Sequence, residues 1–176
     1  MESFPVIEPL SNAYCSRIAG LILPIQQIEF NVPVTIEEQP DLLDIETNYH
    51  RTGGGFWGAK QGQELVGTIG LIAIGHHGGT IRKMFVRKEF RGKEFRIAQR
   101  LLEVLIDHCN RQGITDLYLG TVEWLHAAIR FYERNGFVRI DKTALPESFP
   151  IMAVDNAFYH VHIPSMPGYE HNQPSK

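Results

Sequence analysis

Apolar residues Ile18, Leu21, Ile22, Ile25 and Ile28 recur at helical spacing, so residues 10–30 read as a helix, kinked near Pro24. A second short helix is expected over 41–49, after Pro40, and the run 51–55 breaks the pattern. Residues 56–60 and 64–74 then read as strands joined by a tight turn at Gln61 and Gly62, and a second turn over 75–79 leads into a strand at 80–86. These three make an antiparallel meander. After Val86 the period changes from 2 to 3.6. Ile97, Leu101, Leu105 and Cys109 form one face, with Arg100, Glu103, Asp107 and Arg111 on the other, and Gly113 stops the helix. A strand at 114–120, a helix at 124–135 closed by Gly136, and strands at 137–140 and 158–163 complete the pattern.

A strand–helix–strand passage with this much chain between the strands implies a right-handed parallel crossover from 80–86 to 114–120. The expected fold class is therefore α/β with a mixed sheet: an antiparallel meander followed by a parallel pair with a crossover helix. A chain of 176 residues with no internal repeat or linker is expected to form one domain over 1–163. The remainder, 164–176, is rich in proline and is expected to be a disordered tail. No apolar run approaches the roughly 20 residues of a membrane span, and acids and prolines near the start spoil a signal peptide. Two cysteines are too few for a disulfide framework. A cytoplasmic setting with no membrane partner is the resulting expectation.

The net charge of −3 argues against a nucleic-acid partner, but its distribution is uneven. Residues 82–100 hold eight basic and two acidic side chains, hence +6, which leaves −9 for the rest. Residues 18–50 hold six acids (Glu29, Glu37, Glu38, Asp41, Asp44, Glu46) and no Lys or Arg. One cationic site on an acidic body points to a small anionic ligand. A basic loop between a strand and a helix suits a diphosphate, because the first amides of a helix lack acceptors and its dipole favours negative charge.

Met84-Phe85-Val86-Arg87-Lys88-Glu89-Phe90-Arg91-Gly92-Lys93, followed by Ile97-Ala98 and Leu101-Leu102, resembles motif A of the GNAT acetyltransferase superfamily. Ala127-Ala128-Ile129-Arg130-Phe131-Tyr132-Glu133-Arg134-Asn135-Gly136-Phe137 resembles the segment that follows the fifth strand in that family. The resemblance covers roughly residues 10–163. It implies the GNAT fold, acetyl-CoA as co-substrate, and transfer of its acetyl group to a primary amine of a small molecule or peptide by direct attack on the thioester. The backbone of Met84, Phe85 and Val86 is then expected to hold pantetheine. The loop Arg91, Gly92, Lys93, Glu94, Phe95, Arg96, Ile97 and Ala98 is expected to wrap the diphosphate. Read from Arg91, the family's loop pattern places Glu94 and Arg96 at its small-residue positions; read from Lys93 it places Arg96 and Ala98 there, in a loop two residues longer than usual. Leu125 stands where the family often has an Asn.

Attack on a thioester needs a neutral amine and a proton for the departing thiolate. Tyr132 occupies the family's position for the proton donor. The family's frequent Glu about four residues before Met84 is Thr80 here, which is no base. Glu123 and Glu29 are the available carboxylates, Glu123 being the candidate base. The acidic stretch 18–50 suggests a cationic acceptor, and a homodimer is a further expectation. No metal is expected: His76 and His77 lie in a turn, His160 and His162 read as a surface ladder, and Gly53, Gly54 and Gly55 lack the Lys-Ser/Thr of a phosphate loop. Cys109 reads as inert packing. The alternative function is a GNAT-fold module that binds CoA or a partner without turnover.

Overall fold

The structure, a computed structural model, describes residues 4–168. Seven strands form one sheet in the order β1-β2-β3-β4-β5-β7-β6. They are β1 (Val6–Pro9), β2 (Gly55–Gln61), β3 (Glu64–Gly75), β4 (Gly78–Val86), β5 (Asp116–Thr121), β6 (Val138–Ile140) and β7 (Ala157–His162). The helices are α1 (Cys15–Pro24), α2 (Ile45–Asn48), α3 (Ile97–Gln112) and α4 (His126–Arg134). All neighbouring strands pair antiparallel except β4 and β5, which are parallel and linked by α3. The expected meander and crossover are present. The meander gains β1, a short edge strand bounded by Pro5 and Pro9. Among the described residues no helix is long and apolar enough to cross a membrane.

Strand alternation sends neighbouring side chains to opposite faces, and each face has its own core. Phe56 and Leu65 pack with Ile18, Ile22, Leu42, Ile45 and Tyr49 from the α1–α2 side. Trp57 and Val66 pack with Leu101, Leu105, Cys109, Tyr132 and Phe137 from the α3–α4 side. Burial raises the Cys109 thiol to about 12, which leaves it a packing group. After Pro24 the first helix continues as a wider π-type turn over Ile25–Glu29, so the proline is absorbed by a change of pitch. Residues 164–168 differ from the expected disordered tail. Ile163–Ser165 forms a 3₁₀ turn, and Met166 is buried in the α3–α4 core, an apolar anchor that composition alone does not reveal. The rest of that tail lies outside the described residues.

Two backbone features place the site. In β4 the register slips: Gly70 faces Arg82 but Thr68 faces Phe85, so Ile69 lies opposite both Lys83 and Met84. Lys83 takes the left-handed conformation (φ +55°), and Thr68 Oγ1 donates to its carbonyl at 2.8 Å. Such a bulge bends its strand. Accordingly β4 pairs with β5 only as far as Thr80 and Tyr118, and beyond that point the two strands part.

Candidate active site

The parting strands leave a cavity of about 120 Å³. Its walls include Ile81 to Phe85 of β4, Leu119 to Thr121 of β5, Tyr132 of α4, and the 149–155 segment before β7. Val32 and Val34, in the connection between α1 and α2, line the opposite side. The exposed Trp124 indole donates to the Phe30 carbonyl at 3.1 Å and ties that connection to the end of β5.

Tyr132 is buried, with its hydroxyl 3.4 Å from Met84 Sδ. Burial, reinforced by the nearby Asp155 charge, pushes its phenol well above the usual range, so it carries its proton at neutral pH. Asp155 is a second functional candidate, and the sequence motifs do not point to it. It sits in the segment leading to β7, outside any periodic pattern. Its carboxylate lies over Gly120, where a Cβ in place of the glycine hydrogen would stand 2.6 Å from Asp155 Oδ2. Burial raises the Asp155 carboxyl to about 6, with Arg82 and then Lys83 opposing the shift. Lys83 is nearly enclosed (side chain 3% exposed), and its ammonium donates to Gln39 Oε1 at 2.5 Å and lies 3.8 Å from Asp41. Desolvation lowers it to about 8, with Asp41 acting in the opposite sense.

Glu123 is not among the cavity-lining residues. It is exposed, and its carboxylate accepts from Arg139 at 2.6 Å. The expected base and Tyr132 are thus not brought together. Thr80 is fully buried with its hydroxyl unpartnered among the described residues. The acids of 18–50 do not form the cavity wall either, since none of them lines it. Asp41 accepts from the Tyr49 hydroxyl at 2.5 Å, Asp44 caps α2 through the Thr47 amide, Glu38 accepts from Thr35, and Glu29 pairs with Arg91.

The basic loop lies at the far end of β4. Helix α3 starts at Ile97, with Arg96 as its left-handed cap (φ +51°) and no side chain capping its amides. Its first backbone bond runs from the Arg100 amide to the Arg96 carbonyl at 2.9 Å, so the amides of Ile97, Ala98 and Gln99 lack intrahelical acceptors. Gly92 also takes a positive φ, +107°, where any side chain would be strained. Lys93, Glu94 and Arg96 are exposed. Phe95 is held by Phe90 and Phe4, with ring centroids 5.4 and 5.8 Å away. Arg91 is committed within the chain, donating to the Val86 carbonyl at 2.8 Å as well as to Glu29. Its guanidinium therefore braces the loop against β4. Ile97 and Leu101 approach Gly67, which pairs with Val86, so the helix start stands beside the end of β4.

At the N-terminus of α4, Leu125 makes no side-chain cap bond. His160 and His162 both reach Asp116 Oδ1, at 2.8 and 3.3 Å, on the outer part of β5 and β7. Among the described residues no group of three or more His, Cys, Asp or Glu is placed to hold a metal.

A model of the acetyltransferase (GNAT) family matches residues 21–137. An acetyltransferase of GNAT family from Staphylococcus aureus Mu50 superimposes with a TM-score of 0.86 at 40% identity, covering 90% of this chain and 98% of that one. The PaiA N-acetyltransferase from Thermoplasma acidophilum, solved in complex with coenzyme A, shares the fold with a TM-score of 0.69 at 16% identity, covering 91% of this chain and 99% of that one. N-acetyltransferase family 8 member 2 of Rattus norvegicus is 30% identical over 104 residues, 56% of this chain and 45% of the relative. The chain thus matches less than half the length of that relative.

Proposed function

The chain belongs to the GNAT acetyltransferase family, and from that premise we propose that it transfers the acetyl group of acetyl-CoA to the primary amine of a small molecule or peptide. The observation that carries this reading is the cleft between β4 and β5, which holds a buried protonated phenol and a carboxylate of raised affinity for protons. Acetyl-CoA supplies an acyl group already activated as a thioester. The free β4 edge beyond Thr80 suits a narrow, amide-bearing pantetheine arm through the backbone of Met84, Phe85 and Val86. Lys93, Arg96 and the amides of Ile97 and Ala98 suit its diphosphate, while the exposed acid of Glu94 is turned to no use there.

In this reading Asp155, not Glu123, is the base. It accepts the proton that the amine nitrogen loses as the new nitrogen–carbon bond forms. Tyr132 gives its proton to the sulfur as the carbon–sulfur bond breaks. A carboxylate of pKa about 6 is ionised at neutral pH yet far more basic than an ordinary Asp near 3.9, which matches it better to a general-base task. The test is Tyr132→Phe, which removes only the hydroxyl. Acetyl-CoA should still raise the melting temperature, while amine-dependent thiol release should fall by roughly 10²–10⁴. Turnover within about twofold of the parent would assign Tyr132 to packing.

A further inference from the structure

Arg82, Lys83 and Asp155 are the only charged residues lining the cavity among the described residues, and they are not equivalent. Lys83 is spent internally on Gln39 and Asp41. Arg82 is not. Among the described residues its hydrogen-bond partner is Met152 Sδ, at 3.2 Å, and it forms no ion pair within 4.0 Å. A thioether is a weak acceptor, and a guanidinium carries five donors arranged as a planar fork. Phe149, Pro150 and Val154 of the same cavity wall have no side chain that could pair with that fork, and Asp155, whose carboxyl feels the Arg82 charge, lies beyond ion-pair distance. An anion entering the cavity meets a half-exposed guanidinium with donors to spare.

Resting on the acetyl-transfer reading above, we propose that the acceptor is a small amine that also carries a carboxylate, as amino acids do, and that Arg82 binds this carboxylate. The fork of Arg82 matches a carboxylate with two parallel hydrogen bonds. Asp155, in the same cavity, faces the nitrogen end: the ammonium gives its first proton to solvent before attack, and Asp155 accepts the second as the new nitrogen–carbon bond forms. Lys83 is already balanced by Asp41, so Arg82 and Asp155 present one charge of each sign, the complement of a zwitterion. A simple dication would meet Arg82 with like charge. The specificity expected from the acidic stretch 18–50 thus gives way to one set by a residue of β4.

The test uses the full chain with α-, β- and ω-amino acids, each beside its carboxamide and the amine lacking the carboxylate. Thiol release from acetyl-CoA is measured, and binding of the same compounds is followed calorimetrically with CoA present. Free acids should be the best acceptors, with kcat/KM roughly 30-fold or more above their carboxamides, and Arg82→Gln should reduce that preference to within about twofold. Arg82→Lys keeps the charge without the fork and should retain only part of the preference. Acetylation confined to neutral or dicationic amines would overturn the proposal, as would an equal loss on every acceptor in Arg82→Gln and Arg82→Lys, which would make Arg82 merely the counter-charge of Asp155. Amino-acid binding that depends on Arg82 but leads to no thiol release would instead sustain the subsite and overturn the transfer reading.

Discussion

The C-terminal end of β4 and its bulge present two kinds of charged site. At its C-terminal end the loop 91–96 and the start of α3 form a site of exposed cations and free amides, contributed by one short run of chain. At its bulge, Arg82 and Lys83 are drawn into a partly enclosed cavity with Asp155 and Tyr132, residues up to 73 positions apart in sequence. The exposed site stands open to solvent. The enclosed one shifts Lys83 down to about 8, Asp155 up to about 6 and Tyr132 further up. Desolvation is the leading cause in all three, so on the proposed function the division between binding and chemistry follows the division between solvent and interior.

The sharpest way to separate the two sites is Asp155→Asn. Turnover should fall by roughly 10²–10⁴ while acetyl-CoA affinity stays near the parent value. In the parent, kcat/KM should rise with pH through about 6 as Asp155 ionises, and that limb should vanish in the variant. Stability should move the other way. The folded carboxyl binds its proton up to about pH 6 and the unfolded one only to about 3.9, so the folded state holds more protons in between and loses stability as pH rises through that window. Asp155→Asn should therefore raise the melting temperature above pH 6, with the gain disappearing below about pH 4.

The converse change is Lys93→Glu with Arg96→Glu. It should weaken acetyl-CoA binding by about 100-fold, abolish the thermal shift caused by acetyl-CoA, and leave the pH limb near 6 in place at saturating donor. A smaller effect is expected from Gly120→Ala. The added carbon meets Asp155 Oδ2 at 2.6 Å and must displace it, which should lower turnover roughly 10-fold while the acetyl-CoA thermal shift persists.

This contrast also explains what the sequence could disclose. The loop and α3 were legible because the helix period, the basic run and the motif all fall in one contiguous stretch. The meander and the crossover were legible from alternation, and β1 was not, because a four-residue strand that ends in a proline carries too little pattern. The cavity was legible only through Met84, Phe85 and Tyr132, which lie inside motifs. Asp155 belongs to an irregular segment, and only folding brings it over Gly120. Arg82 and Lys83 were counted with the basic run because nothing local signals the bulge that turns them inward. Arg91 sits in the same run, but its partner Glu29 is 62 residues away, so its bracing role was invisible as well. Two of the acids of 18–50 are hidden in the same way: Asp41 faces Lys83 and Glu29 pairs with Arg91 only once the chain has folded.

On the function proposed above, the cavity between β4 and β5 carries out acetyl transfer and is not only a place where CoA is held. The decisive experiment mixes the protein with acetyl-CoA and a broad set of primary amines and quantifies free thiol and N-acetylated product together. Equal amounts of the two are expected, formed well above the rate of acetyl-CoA hydrolysis without amine. Acetyl-CoA that binds and raises the melting temperature, but releases no thiol beyond that background with any amine, would contradict acetyl transfer and make the chain a CoA-binding module.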